Sequence, residues 1–440
     1  MAGLKKRGWV PENCESFIQD VAGMVRSKGI DYTDSEIYRL IELNRTIHET
    51  DCINLNPATN VLNPKAEAVL SSGLGSRPSL GYPGDKYEMG LEGIEQIEII
   101  TAELAAEVFS ASYAEIRVAS GAMANLYAFM ATTNPGDVII VPSPEIGGHV
   151  THHNPGAAGL YGLDIHAAEV DPASYSVDLD DLRKQVKKLK PKLITIGGSM
   201  NLHQHPVHEI RAIADEVGAW VLFDAAHLSG MFAGGAWKNP LEEGAHLMTM
   251  STYKSLGGPA SGLIVTNSAK LAERLDAIAF PGLTANFDAA KSAALAITLL
   301  DWKAHGKAYA QAMVDTARAL ASHLHHLGAP VFGGNSGFTT SHQFALEAAD
   351  FSGGQAASKK LREAGILACG IGLPIKPVKG DMNGLRFGTP EIVRWGMGVE
   401  DMEELAQLIY RVLVNKENTA SVAPDVKAFR HKFSDLHYMR

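Results

Sequence analysis

Residues 251–259 read Ser-Thr-Tyr-Lys-Ser-Leu-Gly-Gly-Pro and follow an apolar segment at 246–250. A lysine between hydroxyl residues, followed by a Gly-Gly-Pro turn, is typical of a loop at the end of a strand. Near cationic or apolar neighbours such a lysine can lose its proton and form a Schiff base with an aldehyde. An ordinary surface lysine in a loop would give the same pattern. Lys254 is therefore a candidate for a Schiff-base lysine, and the rest of the sequence is needed to distinguish the two interpretations.

The chain around this loop predicts an α/β fold. From about residue 113 to residue 265, short β-branched runs alternate with helical patterns. Strands separated by helices of this length favour βαβ units and a largely parallel sheet, which binds ligands at the carboxyl ends of its strands. The strand candidates are Val138–Val141, Lys192–Gly197, Ala219–Phe223 and Gly262–Thr266, and a helix is predicted over Pro206–Val217.

The pattern predicts three regions in the chain. Residues 1–60 are expected to form a helical N-terminal arm, residues 61–300 a large domain, and residues 301–440 a small C-terminal α+β domain. A long helix rich in alanine and leucine is predicted from Ala289 to Leu327, with an interruption at His305-Gly306. Beyond it we expect strands at Gln343–Leu346 and Gly384–Phe387.

Composition limits the functional classes. The 440 residues are 46% hydrophobic and 20% charged, as in ordinary globular proteins, and the net charge of −10 comes without a basic block, so nucleic-acid binding is not expected. Neither a membrane span nor a signal peptide is expected. Three dispersed cysteines, Cys14, Cys52 and Cys369, form neither a disulfide framework nor a metal pattern. We expect a cytoplasmic enzyme without a metal.

Three further features occur in the same order as the predicted strands. Asp224 ends one strand and could pair with a pyridinium nitrogen, although an aspartate there is also a common helix cap. Residues 119–125 read Ala-Ser-Gly-Ala-Met-Ala-Asn and enter a helical run, so they could offer free amides to a phosphate. His149, after Gly147-Gly148, could stack on a flat ring or could be a solvated loop histidine. Chance agreement of all the features with strand ends is small.

Together these motifs resemble serine hydroxymethyltransferase and its relatives among the fold-type-I enzymes that use pyridoxal phosphate. The resemblance runs from about Leu55 to Leu413 and implies a large domain with a mostly parallel, seven-stranded type of sheet and a small C-terminal α+β domain. The motifs that carry it are Gly81–Tyr87, Ser120–Asn125, Gly147–His152, Asp224–Gly230, Thr252–Pro259 and Leu385–Pro390.

The resemblance implies a site for pyridoxal 5'-phosphate. Lys254 would hold the cofactor aldehyde, Asp224 would face the pyridine nitrogen, and His149 would stack on the ring. The other residues expected to bind the cofactor are Ser120, Gly121 and Ala122 at the phosphate, His227 near the phenolic oxygen, and Ser199 and Tyr253.

The resemblance also implies how substrate is bound. Arg386 would hold the substrate carboxylate, for which a planar guanidinium fork is well suited. In this family a homodimer interface completes the active site, and the segment around Tyr82–Tyr87 reaches the neighbouring subunit, so Tyr87 is expected to contact substrate. Glu88, His149 and His227 are the candidates for the base that takes the hydroxyl proton.

Departures from the family pattern indicate a changed reaction. Members that use tetrahydrofolate carry Tyr-Ala-Glu-Gly-Tyr-Pro-Gly, whereas residues 78–84 read Pro-Ser-Leu-Gly-Tyr-Pro-Gly. Leu80 replaces the glutamate and cannot transfer a proton, while Pro78 and Glu88 replace tyrosines. Drift is the alternative explanation. Other departures are Ala58-Thr59-Asn60, Tyr253, Ala260 and Thr284-Ala285-Asn286.

The sequence therefore predicts a homodimeric enzyme that cleaves the Cα–Cβ bond of a serine-type β-hydroxy-α-amino acid by a retro-aldol reaction. The products would be a small amino acid and formaldehyde, released without folate. The two lost aromatic rings leave room beside Cα, so α-methylserine is an expected substrate. The first alternative is a tetrahydrofolate-dependent serine or 2-methylserine hydroxymethyltransferase. A non-catalytic pyridoxal-phosphate scaffold is disfavoured because Lys254, Asp224 and Arg386 are all present.

Overall fold

The computed structural model describes residues 3–77, 79–334 and 337–440, so Pro78 lies outside the described residues. The strands are β1 (Ile53–Asn54), β2 (Gly81–Tyr82), β3 (Asp85–Lys86), β4 (Tyr113–Val118), β5 (Val138–Val141), β6 (Asp164–Ala167), β7 (Val170–Asp171), β8 (Ser176–Val177), β9 (Leu193–Ile196), β10 (Trp220–Asp224), β11 (Leu247–Ser251), β12 (Gly262–Thr266), β13 (Gln343–Glu347), β14 (Ile366–Leu367), β15 (Cys369–Ile371) and β16 (Gly384–Gly388).

The strands alternate with helices over most of the chain. The helices are α1 (Glu12–Ser27), α2 (Ile30–Arg45), α3 (Pro64–Leu70), α4 (Glu92–Val108), α5 (Gly121–Thr132), α6 (Ala157–Leu160), α7 (Leu179–Leu189), α8 (Val207–Asp215), α9 (Ser229–Ala233), α10 (Ala269–Ala277), α11 (Ala289–His326), α12 (Gly354–Glu363), α13 (Pro390–Arg394), α14 (Met402–Leu413) and α15 (Thr419–Arg430). Within the described ranges no helix combines the length and apolar character that a membrane span requires.

A seven-stranded sheet in the order β4-β12-β11-β10-β9-β5-β6 forms the centre of the described chain. Its strands run parallel except for β12, which is antiparallel to both of its neighbours. This confirms the predicted α/β class with a mostly parallel sheet. The β10 to β12 strands are apolar on both faces because helices cover both sides of the sheet.

Alternate residues of one strand supply two separate cores. On β10, Val221 and Phe223 pack into the larger core, whereas Leu222 points to the opposite face and packs with the residues around α5 and α10. This alternation follows from the two-residue period of a strand. With helices on both faces, polar side chains reach solvent or ligand mainly at the ends of the strands, which is where the predicted site residues occur.

The N-terminal region contains the helices α1 and α2, and a strand that follows them pairs with a distant part of the chain. The backbone of β1 pairs in parallel with β14, so residues 53–54 lie against the C-terminal region. The helix α2 buries none of its residues. It therefore presents exposed apolar side chains, which include Ile37, Tyr38 and Ile41.

The α11 helix is continuous over 38 residues, so the predicted interruption at His305-Gly306 is wrong. A side chain at Gly306 would press on Trp302 and on the carbonyl oxygen of Ala233. The residue after α9 approaches the helix closely at this point, since a side chain at Gly234 would collide with the carbonyl oxygen of Gly306, and the glycine does not break the helix. The boundary predicted at residue 300 falls inside α11, and the division into domains stays a prediction.

The C-terminal region contains a second, antiparallel sheet in the order β13-β16-β15. The strands predicted at 343–346 and 384–387 are present as β13 and β16. The side chains of α12 and α14 pack in the same core cluster as Phe344 and Phe387 from these strands. This arrangement fixes the position of Gln343, the first residue of β13, and of Arg386, which lies within β16.

Buried Glu391 predicts a pH-dependent stability. Burial raises its pKa to about 7, although Asn54 Nδ2 donates a hydrogen bond to its Oε2 at 2.6 Å. Because this folded-state pKa lies above the unfolded value, the free energy of unfolding falls as the pH rises through the range between them and stays low above about 7. We expect Glu391→Gln to raise the free energy of unfolding at pH 8 by on the order of 2 kcal/mol and to change it little at pH 4.

Chemical denaturation at the two pH values measures this effect. Glu403→Gln is the matched control, because Glu403 is exposed on α14 and the substitution removes the same charge. Equal stabilities of parent and Glu391→Gln at pH 8 would show that the buried carboxyl carries no such cost.

Candidate active site

A cavity of about 120 Å³ lies at the carboxyl ends of β9, β10 and β11. It brings together all nine predicted cofactor-binding residues, although the motifs lie more than a hundred residues apart in sequence, whereas Arg386 is not among the described residues that line it. The residues that line it are Ser120, Gly121, Ala122, Asn125, His149, Gly198, Ser199, Asp224, Ala226, His227, Ser251, Tyr253 and Lys254. Larger cavities exist elsewhere, but this one gathers the ionisable groups expected to carry the chemistry.

Lys254 lies in the turn after β11 and is only 7% exposed. Burial lowers its pKa to about 8, while the charge of Asp224 opposes that shift and the charge of Arg386 adds to it. Its Nζ atom lies 3.2 Å from Nε2 of His227. A lysine in this state has a large amine fraction near neutral pH, as a nucleophile toward an aldehyde requires.

The turn that carries Lys254 is fixed by buried neighbours. Gly257 has a φ of 67°, and its carbonyl oxygen accepts a hydrogen bond from the buried guanidinium of Arg394 at 3.0 Å. Ser255 Oγ donates to the carbonyl oxygen of His227 at 2.6 Å. The hydroxyl and glycine residues of the motif therefore hold the lysine turn against the loop after β10.

Asp224 is the last residue of β10 and is 2% exposed. Its Oδ2 accepts hydrogen bonds from Nδ2 of Asn125 at 2.9 Å and from Nε2 of His152 at 2.8 Å. Burial alone would raise its pKa, but the hydrogen bond and the charge of His152 hold the pKa well below its usual range. Asp224 is therefore a buried anion, and its Oδ1 also accepts from the Ala226 amide, as in a capping turn.

Asn125 and His152 were missed as functional residues by the sequence argument. Asn125 belongs to the motif at the start of α5 and His152 to the Gly-Gly-His segment, but the sequence analysis assigned roles only to other residues of these motifs. Thr249 Oγ1 donates to Asn125 Oδ1 at 2.7 Å, which fixes the amide with its nitrogen toward Asp224. The signal available in the sequence was the presence of two polar residues in otherwise apolar segments, because buried polar groups need hydrogen-bond partners.

Ser120, Gly121 and Ala122 form the opposite end of the cavity at the start of α5. The Ser120 hydroxyl caps the helix by accepting from the Met123 amide at 3.2 Å. The first amides of a helix have no partner within the helix and carry partial positive charge. A side chain at Gly121 would collide with that of Ser251, so the glycine is required by the close approach of the two elements.

His149 lines the cavity after a turn of two glycines. Its Nδ1 accepts from the Thr151 amide at 3.3 Å, and burial lowers its pKa. A side chain at Gly148 would collide with the carbonyl oxygen of Pro142, so the chain must be glycine there. Tyr253, the other predicted aromatic neighbour, lies with its ring centroid 6.0 Å from Lys254 Nζ.

Arg386 is 6% exposed and has no carboxylate partner among the described ion pairs. One Nη atom donates to the Ser199 carbonyl oxygen, and Nη2 lies 3.1 Å from the sulfur of Cys369. Its Nε is buried without a hydrogen-bond partner in the described chain. A buried guanidinium with unused donors is suited to bind a carboxylate from a ligand.

Tyr87 and Glu88 are not among the described residues that line this cavity. They follow the β2–β3 hairpin, where Tyr87 is 81% exposed and Oε2 of Glu88 is buried without a partner in the described chain. Their predicted roles in the neighbouring subunit stay predictions. Leu80 lies before the same hairpin, and its carbonyl oxygen accepts from the Tyr87 amide.

The cavity fits pyridoxal phosphate in its donor set. Helix amides at Gly121 and Ala122 suit a phosphate, and a buried anion at Asp224 suits a protonated ring nitrogen. Lys254 provides an amine for the aldehyde. The three groups therefore match three different functional groups of one small molecule.

The match to known families is extensive. The family model described as serine hydroxymethyltransferase matches residues 30–409. The alpha-methylserine aldolase of a Ralstonia species is 58% identical over 99% of this chain and 100% of its own length. An alpha-methylserine aldolase of Variovorax paradoxus is 61% identical over 100% of this chain and 99% of its own length.

More distant relatives agree with this match. The serine hydroxymethyltransferase of Pyrococcus horikoshii is 36% identical over 93% of this chain and 97% of its own length. The crystal structure of L-threonine transaldolase from Pseudomonas fluorescens superposes with a TM-score of 0.85 at 24% identity, covering 96% of each chain. That likeness supports the fold.

The lowered pKa of Lys254 predicts how fast the cofactor-free protein captures pyridoxal phosphate. Only the amine reacts, so the rate should rise with pH around a midpoint near 8 and then level off. Stopped-flow absorbance of the yellow product measures the rate. Lys254→Arg, which keeps the charge but is not a nucleophile, should give no yellow product. A rate that still rises steeply at pH 10 would mean an ordinary exposed lysine.

Proposed function

Because the chain belongs to the serine hydroxymethyltransferase family, we propose that it cleaves the Cα–Cβ bond of α-methylserine without folate. The products are alanine and formaldehyde, and the reaction is reversible. The observation that carries this proposal is the buried Arg386, which has no carboxylate partner among the described ion pairs and whose charge lowers the pKa of Lys254. The relatives named alpha-methylserine aldolase support the choice of substrate.

The protein is an enzyme that depends on pyridoxal phosphate. When bound, this cofactor supplies an electron sink for the electron pair of a bond broken at Cα. Asp224 keeps a proton at the ring nitrogen, since it is an anion within the buried end of the cavity. The start of α5 would hold the phosphate, and Lys254 would provide the amine for the cofactor aldehyde.

Arg386 selects which bond breaks. Two Nη donors in a planar fork can hold a carboxylate in one orientation. Holding the carboxylate in this way would leave the bond to the hydroxymethyl group as the one presented to the cofactor for cleavage. That geometry favours release of formaldehyde over loss of carbon dioxide. A quaternary Cα has no proton, so reactions that begin with its removal are closed to α-methylserine.

Leu80 supports a reaction without folate. It occupies the position of the glutamate in the folate-using pattern, and a hydrocarbon side chain neither moves a proton nor accepts a hydrogen bond. Formaldehyde can leave the site unaided, so no acceptor is needed in principle. The competing function is a tetrahydrofolate-dependent hydroxymethyltransferase, which the 36% identity to the Pyrococcus enzyme favours.

We further propose that two copies of the chain form a homodimer with shared sites. Exposed apolar side chains support this, among them Ile41 on α2, Tyr87 and Met89 after the hairpin, and Ile99 and Ile100 on α4. Large exposed apolar patches are typical of interfaces. Tyr87 and Glu88 would then enter the cavity of the second copy, where Tyr87 contacts substrate and Glu88 takes the hydroxyl proton.

A reducing compartment, the cytoplasm, is part of the proposal. All three cysteines are free thiols. Cys369 lies beside Arg386, so oxidation of its sulfur would disturb the group that binds the carboxylate.

The folate question is settled by one assay. Purified enzyme in folate-free buffer should release formaldehyde from α-methylserine, and added tetrahydrofolate should leave the rate unchanged. Trapped formaldehyde is measured directly, with Lys254→Ala as the inactive control. If α-methylserine is inert and serine turns over only with tetrahydrofolate, the hydroxymethyltransferase function is correct instead.

Mixed dimers test the sharing of sites. Lys254→Ala and Glu88→Gln should each be nearly inactive alone. In a mixed dimer, one cavity has Lys254 from one copy and Glu88 from the other, so activity should return to a substantial fraction of the parental value per such cavity. Dissociation and reassociation of differently tagged copies yields the mixed species. If the mixture stays as inactive as its components, Glu88 does not act across the interface.

A further inference from the structure

Gln343 connects the C-terminal sheet to the cavity although it is not part of the lining. It is buried at the first position of β13. Its Oε1 accepts a hydrogen bond from the Asn201 amide at 3.0 Å, and its Nε2 donates to the Ser199 carbonyl oxygen at 3.2 Å. A flipped amide would set two donors against each other at Asn201 and two acceptors at Ser199. The backbone therefore fixes which end of the amide is nitrogen.

The second hydrogen of that nitrogen faces His227. The distance from Gln343 Nε2 to His227 Nδ1 is 3.2 Å. Since the amide nitrogen can only donate, Nδ1 must accept and cannot carry a proton of its own. His227 is 3% exposed, and burial together with the charges of Lys254 and Arg386 lowers its pKa well below the usual value. The ring is therefore neutral, with its proton on Nε2.

We propose that Gln343 is a positioning residue that fixes the tautomer of His227 and makes Nε2–H a hydrogen-bond donor toward the reacting end of the cavity. That Nε2 lies 3.2 Å from Nζ of Lys254. A donor at this distance is compatible with an amine, which has a lone pair, and repels an ammonium group. The glutamine thus helps to keep Lys254 in its reactive form, two hydrogen bonds away.

The Nε2–H group of His227 would also act as a donor when the cofactor is bound. When the lysine is committed to the cofactor, an Nε2–H at this position can donate to the phenolic oxygen, as a partner of developing negative charge. If the proton were on Nδ1, it would point at the amide nitrogen of Gln343, and Nε2 would present a lone pair to an oxygen. Both contacts would then be repulsive.

Other charged groups act on this pair and have to be considered together with Gln343. His227 is also faced by Arg386, His342 and His149, and Lys254 by Asp224, Arg386 and Cys369. These groups set the average potential of the cavity. Gln343 differs from them because it acts on one ring nitrogen, and so its removal should change the position of a proton even where the total charge is kept.

This inference deepens the proposed function and rests on the same site. The experiment uses the holoenzyme labelled with ¹⁵N in the histidine rings, with the His227 signals assigned by their absence in His227→Asn. In the parent, we expect Nε2 to carry the proton and Nδ1 to be unprotonated. In Gln343→Glu, the carboxylate cannot donate, so the proton should move to Nδ1.

The visible absorption band of the bound cofactor gives a second measurement. Gln343→Glu should raise the apparent pKa of that band by about one unit or more, because an anion and a reversed imidazole both favour protonation nearby. Gln311→Glu is the matched control on the exposed face of α11 and should leave the band unchanged. If Gln343→Glu does not fold, Gln343→Met removes the donor without charge and should give a mixture of both tautomers.

Two outcomes overturn the inference. One is a parental enzyme with the proton on Nδ1 of His227. The other is a proton that stays on Nε2 in both Gln343 variants. Neither outcome bears on whether α-methylserine is cleaved without folate, and inactivity toward α-methylserine leaves the tautomer measurement intact. The failures of the two proposals can therefore be told apart.

Discussion

The structure of the site depends on keeping one buried carboxylate ionised. Asp224 is removed from water at the end of a strand that is covered on both faces, and burial by itself would neutralise it. Hydrogen bonds from Asn125 and His152 replace the lost water. Their elements, α5 and the Gly-Gly-His segment, are packed tightly against other parts of the chain, since a side chain at Gly121 would collide with Ser251 of β11 and one at Gly148 with the carbonyl oxygen of Pro142.

How far sequence predicts this arrangement depends on the range of each interaction. Local patterns predict the sheet and the positions of Lys254 and Asp224, because a few neighbouring residues are enough to indicate a strand end or a glycine turn. Gln343 was predicted only as the start of a strand. Its role arises from contacts with Asn201 and His227, 142 and 116 residues away in sequence, and local patterns carry no information on such contacts.

The failed prediction at Gly306 has the same cause. Glycine in a helical pattern usually signals an end or a weak point, because it gains little from helix formation. Around Gly306 the α11 helix packs closely against Gly234, where a side chain would collide with the Gly306 carbonyl oxygen, and the helix continues in spite of the local preference of glycine. The sequence shows that glycine is unfavourable in a helix, but it does not show which other element packs against that position.

The two cavity histidines bear on the proposed homodimer. Nδ1 of His149 accepts from the Thr151 amide, and Nδ1 of His227 accepts from Gln343. Since burial keeps both rings neutral, each carries its proton on Nε2, and neither offers a lone pair to a substrate hydroxyl. Two of the three candidates for the base are thereby better suited to donate.

Glu88 is then the remaining candidate, and it does not line the cavity of its own chain. A carboxylate that lies outside its own site and has an unpartnered buried oxygen is consistent with use by a neighbour. The protonation of the histidine rings therefore determines whether a residue of a second copy is needed as the base. If Gln343 fixes His227 as a donor, Glu88 of a second copy is the remaining one of the three candidates for the base, and the proposed homodimer would then serve the chemistry as well as the stability.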